Sequence, residues 1–409
     1  MEQMYTGTED LSPLRAVAHN LRALPKAISL SAAVAGVLTV LIGTFGTGPI
    51  IVQAAQAGGL TSDQTASWFF AVLVGSGIYG IYMSLRMRMP LLGAWSTPST
   101  ALLVTGLATH TINEAVAAYF IAAILLTIIG AAGLLEKILS VVPRPVTMAM
   151  LGGVLFNFGV AIFPAAIKEP AVVLPMIIVF FIGRRYKWRA PIVAAFAIGL
   201  LISALVGKAH QPNLNLSIVH PTWITPHFTI GAIFTLSIPL LLMTLTSQYA
   251  PGMSVLTGFG YKAPVNRSLV TGGLLSFAGA GFLGSGVNSA AITAAIGAGE
   301  HADPDKSRRY TAGVVSGLTY VAFGIFGAAF LGFLGSIPIA MLAAIAGLAL
   351  MPAIANSTHE ALIDPQYREA ALVTLMITVS NISAFKLGAP FWGLVGGVIV
   401  HQIVIFKRR

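Results

Sequence analysis

Four long stretches of this sequence carry no Asp, Glu, Lys or Arg: Ala27–Ser62, Ala209–Tyr261, Ser268–Gly299 and Tyr310–His359. A helix that crosses a bilayer needs about 20 apolar residues, so each stretch holds one or two such helices. The apolar residues do not alternate with polar ones as membrane β-strands require, which excludes a barrel. Inside lipid no water serves the backbone, and helices are then the remaining way to satisfy it. The whole chain agrees, with 56% of its 409 residues hydrophobic and 9% charged, against roughly a quarter charged in soluble domains. The expected fold class is an all-α membrane protein.

Apolar segments are expected at roughly 28–51, 67–85, 97–107, 114–136, 145–166, 170–183 and 190–207. A polar loop, 208–228, separates these from a second set at 229–257, 265–282, 288–299, 310–334, 338–353, 369–384 and 390–406. Ahead of the first segment, Leu11, Leu14, Val17, Leu21 and Leu24 oppose Arg15, Arg22 and Lys26, the pattern of an interfacial helix. No cleavable leader pattern precedes the first segment, which is expected to stay and act as its own targeting signal. With both termini cytoplasmic, only Lys168, Lys208 and Lys386 of the 23 Lys and Arg fall outside. That split follows the positive-inside rule, and dropping one segment would invert every later loop. The net charge of +10 therefore reads as orientation in lipid, and no nucleic-acid partner is expected.

Fourteen segments divide into seven plus seven, and an odd repeat enters the membrane from opposite sides, giving an inverted repeat. Weak internal matches support it. Thr44 precedes Pro49 as Thr246 precedes Pro251, and Gly93, Thr97 and Gly106 share their spacing with Gly284, Asn288 and Gly297.

Those last triplets lie in the third and tenth segments, which are unusually short. Pro98 suits the start of a helix, and Thr97 before it is a candidate cap. Three glycines precede Asn288 and Ser289, again candidate caps. Two half-helices beginning inside the membrane would aim their partly positive N-termini at one another, a ready anion site. The alternative is a pair of Gly- and Pro-rich kinks that serve helix packing. In the eighth segment, Gln248 is a large amide that needs a partner in protein, substrate or water, and interhelical bonding explains it equally well. Tyr249 and Phe45 offer aromatic faces, with packing the plainer role for Phe45. No acid falls near the middle of these segments, which suits an anionic substrate and leaves no obvious proton carrier. The sequence carries no cysteine and no zinc-protease, phosphate-loop or nucleophile-elbow motif; of its eight histidines, His210, His220 and His227 share the outer loop and His401 lies near a segment end. No catalytic residue, metal or cofactor is expected.

Gly93-Ala-Trp-Ser-Thr-Pro, Thr246-Ser-Gln-x-Ala-Pro-Gly, Ala290-Ala-Ile-Thr-Ala-Ala-Ile296, His301-x-Asp-Pro-Asp-Lys306 and Phe391-Trp-Gly resemble the benzoate:proton symporter family (BenE) from about Val34 onward. That family is similar in architecture to the nucleobase/ascorbate transporters, which have seven-plus-seven repeats with core and gate domains. The nucleobase carriers resemble this chain around Ser247-Gln248 but place Glu where Gln248 stands, and another near Ser285. An amide and helix N-termini suit a carboxylate better than a carboxylate would.

The resemblance implies core parts at 28–143 (segments 1–4) and 229–335 (segments 8–11). Gate parts follow at 144–207 (segments 5–7) and 336–409 (segments 12–14), with an N-terminal interfacial segment at 1–27 and the outer loop at 208–228. It implies a secondary transporter importing benzoate or a similar aromatic carboxylate with protons, by alternating access, in the bacterial cytoplasmic (inner) membrane. A nucleobase or inorganic-anion carrier and an anion channel are the alternatives. Expected partners are the acid, protons and membrane lipid, with a homodimer left open. Expected substrate-binding residues are Phe45, Gly46, Trp95, Ser96, Thr97, Pro98, Ser99, Gln248, Tyr249, Gly286, Asn288 and Ser289.

Overall fold

The computed structural model describes residues 12–137, 143–188, 190–208, 217–291, 293–384 and 387–406. Short helix α1 (Pro13–Ala27) precedes α2 (Leu30–Ala57), α3 (Ser62–Met87), strand β1 (Gly93–Ala94), α4 (Thr97–Gly106) and α5 (Ile112–Ala132). Then come α6 (Arg144–Lys168), α7 (Pro170–Arg185) and α8 (Pro191–Leu205). The second half runs through α9 (Ile230–Gly258), α10 (Val265–Ala280), strand β2 (Asn288–Ser289), α11 (Ala294–Ala298), α12 (Tyr310–Ile325) and α13 (Gly327–Gly335). It ends with α14 (Ile339–Leu362), α15 (Arg368–Val379), a small β3–β4 pair (Ser383–Ala384, Leu387–Gly388) and α16 (Ala389–Phe406). Six of these helices, α2, α3, α5, α6, α9 and α14, are long and apolar enough to cross a membrane, seven if the bent pair α12–α13 is one span.

Local chemistry sets the helix starts. Thr61 accepts from the Gln64 N–H while the Gln64 side chain accepts from the Thr61 N–H, and Thr111 and Glu114 repeat this box at α5. Ser29 and Thr229 cap α2 and α9, each accepting from an N–H three residues on. Proline stands in the first two positions of α4, α6, α7 and α8. The expected single segment 310–334 is instead bent by 71° between α12 and α13. The bend lets Phe330 reach Phe69 and Phe45, with ring centroids 5.3 and 5.5 Å apart.

Two groups of helices result. In one, α12 packs on α3 and α2, α10 on α5, and α4 on α2 and α9. In the other, α14 and α15 pack on α6, α7 on α8, and α16 on α15. The groups meet where α2 touches α14 and α8, and where α4 touches α6. Small residues allow the closest approach within the first group. A Cβ on Gly317 would lie 2.5 Å from the Gly77 carbonyl, and one on Gly77 would lie 2.5 Å from the Gly317 carbonyl. Close backbone contact of this kind gives dispersion energy where lipid removes the usual hydrophobic drive.

Between α3 and α12, two non-helical stretches cross. Gly93 pairs with Ser289 and Ala94 with Asn288 in an antiparallel ladder, and the Ala290 N–H donates to the Leu92 carbonyl at 2.9 Å. Backbone groups that leave a helix inside a membrane protein must find partners, and these two stretches partner one another. Gly93 permits the crossing, because a Cβ there would fall 1.9 Å from the Ser76 carbonyl.

Candidate site between the two helix groups

The cap of α4 is Ser96, not Thr97. Its Oγ accepts from the Ser99 N–H at 3.2 Å and from the Ser99 hydroxyl at 2.7 Å. Thr97 is thereby the first helical residue and Pro98 the second. Ser99 also meets the Thr244 hydroxyl at 3.1 Å and reaches the Leu240 carbonyl at 3.3 Å, fastening α4 to α9.

The expected caps Asn288 and Ser289 cap nothing. Both lie in the extended pair, and the helix that follows, α11, is only five residues long with no side-chain cap. The ladder satisfies the backbone through residue 290, so helical winding is deferred to Ala294. Asn288 serves the facing break instead. With its amide turned to satisfy both neighbours, it accepts from the Ser96 N–H at 2.9 Å and donates to the Ser289 carbonyl at 3.1 Å. The picture of two matched helix ends reduces to one capped half-helix and a strand pair.

A cavity of about 280 Å³ opens at this crossing, near the small end of ligand pockets at roughly 300–1,000 Å³. Gly46, Trp95, Thr97 and Gln248 of the expected residues line it. Ser96, Pro98 and Ser99 lie just behind, and Gly286, Asn288 and Ser289 are not on its wall. Gly286, at φ 127°, provides a left-handed turn in the approach to β2. Tyr249 is fully buried behind Gln248, its hydroxyl directed at the Ser268 and Val287 carbonyls at 3.4 and 3.5 Å. Phe45 packs on Phe196 and Phe333, with centroids 5.3 and 6.0 Å away, and takes no part in the wall.

The Thr47 hydroxyl on the wall donates to the Gly43 carbonyl at 2.7 Å, but other polar groups there are spare. The Gln248 amide and the Thr97 hydroxyl have no protein partner among the described residues, and the buried Trp95 Nε1 has none. Gln248 sits in one of two wide π-type turns of α9, Leu245–Tyr249, a distortion often found at functional sites. Among the wall residues that escaped sequence reasoning are Tyr320, Phe180, Thr293 and Arg184. Tyr320 stacks edge-on to Trp95 at 5.9 Å, and Gly43 leaves room for its hydroxyl, which a Cβ would approach to 2.5 Å. The Gly43-Thr-Phe-Gly46 run of α2 was the available signal for Tyr320; Arg184 looked like one more orienting loop charge. Among the described residues no carboxylate lines the cavity, and no three His, Asp or Glu gather as a metal would require. The wall can hold a planar ring against Trp95 and Tyr320 and offers hydrogen-bond donors to an acceptor group.

A family profile described as "Benzoate membrane transport protein" (BenE) matches residues 26–403. The chain is 36% identical over 385 residues to the Benzoate membrane transport protein of Acinetobacter baylyi, covering 94% of this chain and 98% of that one. It is 35% identical over 370 residues to the Inner membrane protein YdcO of Escherichia coli, covering 90% and 95%. Among solved structures, the transmembrane domain of the cyanobacterial bicarbonate transporter BicA matches with TM-score 0.58 at 16% identity, covering 92% of this chain and 96% of that one. SLC26A9 matches with TM-score 0.60 at 13% identity, covering 98% and 70%. At these identities the two structures show a shared fold.

Proposed function

The chain belongs to the BenE family of membrane transport proteins, and from that premise we propose that it imports benzoate or a closely similar aromatic carboxylate. It is a multi-pass transporter and not an enzyme. The observation that carries the substrate reading is the cavity: aromatic on one wall, with spare donors at Gln248 and Thr97 and no carboxylate to repel an anion. A benzoate-like acid with pKa near about 4 is ionised at pH 7, and its ring suits Trp95 and Tyr320.

The mechanism in this reading is alternating access with proton coupling. The group containing α2, α4, α9 and α12 is the core, at 28–143 and 229–335. The group containing α6, α7, α8, α14, α15 and α16 is the gate, at 144–207 and 336–409. The cavity has walls from both, so a rocking motion between them would expose it to either side. The fourteen-segment, seven-plus-seven arrangement belongs to this proposal, supported by helices near each expected position and by the paired features of α2 and α9. The Ser247-Gln248 motif extends the architecture to the nucleobase/ascorbate transporters. Both termini are placed in the cytoplasm of a bacterium, in its inner membrane, with a homodimer as the proposed assembly.

Purified protein in liposomes tests this with labelled benzoate. Saturable uptake, counterflow, and stimulation by an inward proton gradient are expected. Linear flux without counterflow would make the protein a channel, and no benzoate flux at all would remove the substrate reading.

A further inference from the structure

We propose that Arg184, on the gate side of the cavity, is the counter-charge that receives the substrate carboxylate at the cavity mouth. The inference deepens the transport reading above and rests on it. Arg184 is the single charged residue on the cavity wall among the described residues, and the single exposed one, so it marks where the cavity meets solvent. No carboxylate pairs with its guanidinium among the described residues. It stands in the last turn of α7, one turn beyond Phe180, which also lines the cavity.

A carboxylate entering an apolar cavity loses its water and needs a charged or hydrogen-bonding replacement. Gln248 and Thr97 supply neutral donors on the core side. A guanidinium supplies two parallel N–H bonds matched to the two carboxylate oxygens. Because Arg184 belongs to the gate and Gln248 to the core, the anion touches both only while the cavity is open at the α7 end. In the proposed orientation that end is cytoplasmic, so Arg184 governs release and re-entry there. The plainer account makes Arg184 an orienting charge at a helix C-terminus, where a cation is favourable anyway. Arg185 answers that account equally well but is not on the wall, which makes it the internal control.

The test measures equilibrium binding of benzoate and of its neutral isostere benzamide to the purified full-length protein. Variants Arg184→Gln, Arg184→Lys and Arg185→Gln are compared with the wild type. Arg184→Gln should weaken benzoate binding by about tenfold or more, the size of one charge-assisted hydrogen bond, and leave benzamide unchanged. Arg184→Lys should recover part of the loss, and Arg185→Gln should match the wild type. Added salt should weaken benzoate binding to the wild type more than to Arg184→Gln. Equal benzoate affinities for Arg184→Gln and wild type, or equal losses in Arg184→Gln and Arg185→Gln, would overturn the assignment. If the wild type binds neither probe, the transport reading fails instead.

Discussion

The Ser29 hydroxyl donates to the Asp303 carboxylate at 2.6 Å, joining the start of α2 to the loop that follows α11. Thr229 does the same at the start of α9, donating to Glu114 at 3.0 Å beyond the end of α4. Each hydroxyl is at once a helix cap and the donor to an acid that follows a half-helix in the other half of the chain. The two contacts correspond to one another as the halves of an inverted repeat would. Buried Arg309 tightens the first of them, donating to the Asp303 and Ala298 carbonyls at 2.7 and 2.8 Å.

These contacts should be energetically coupled. Ser29→Ala removes both a cap, about 1 kcal/mol, and a hydrogen bond to a charged group, about 1.5–3 kcal/mol. A double-mutant cycle with Asp303→Asn separates the second contribution. Thermal unfolding in detergent should show a smaller loss from Ser29→Ala when Asp303 is already Asn. Additive losses would mean that the short contact contributes nothing.

Gly93→Ala should be among the most damaging single substitutions. The added methyl would fall 1.9 Å from the Ser76 carbonyl, and backbone on both sides cannot yield without breaking the ladder. Loss of monodisperse protein on size exclusion is expected. Gly258→Ala, where the structure leaves open space, should behave as wild type in the same assay.

Ser96 and Thr97, neighbours in sequence, should separate stability from affinity. Ser96→Ala removes the cap of α4 and should lower stability by about 1 kcal/mol. Thr97→Val keeps shape and leaves that cap intact, so stability should hold while benzoate binding weakens by about 0.5–1.5 kcal/mol, one ordinary hydrogen bond. The reverse pattern would place the ligand elsewhere.

Much of this could be read from residue types alone. Charge-free runs announced the helices, and Pro98 announced a helix start, because the first turn does not need the N–H that its ring lacks. The tenth segment misled because Asn288-Ser289 is as good a cap pair on paper as Ser96-Thr97. Which one caps is decided across the crossing, where the ladder to Gly93 and Ala94 takes up the backbone bonds first. Arg184 was hidden for a different reason. Positive-inside bias explains every Arg expected on the cytoplasmic side equally, and only the fold shows that one of them lines the cavity.

Orientation has a direct test, since the native chain has no cysteine. Part of the expected outer loop, 208–228, falls outside the described residues, but exposed His220 belongs to it. His220→Cys should react with an impermeant thiol reagent added to intact cells, and Arg185→Cys only after the membrane is opened. The opposite labelling would invert the topology and move Arg184 to the outer mouth.

Gln248→Glu should make benzoate binding fall more steeply with rising pH than it does in the wild type. A carboxyl, unlike the amide it replaces, can ionise. While protonated, the new side chain is neutral and still able to donate, so benzoate should bind nearly as to wild type. As pH rises, the group ionises while benzoate is already an anion, and the two like charges share one cavity. Affinity for benzoate should therefore fall with rising pH in the variant, over a range where the wild-type amide does not titrate. Benzamide, with no charge to repel, should show no such fall. Binding of both probes between pH 5 and pH 8 decides the matter. Parallel curves for Gln248→Glu and wild type would place Gln248 out of reach of the carboxylate and leave its amide a packing group.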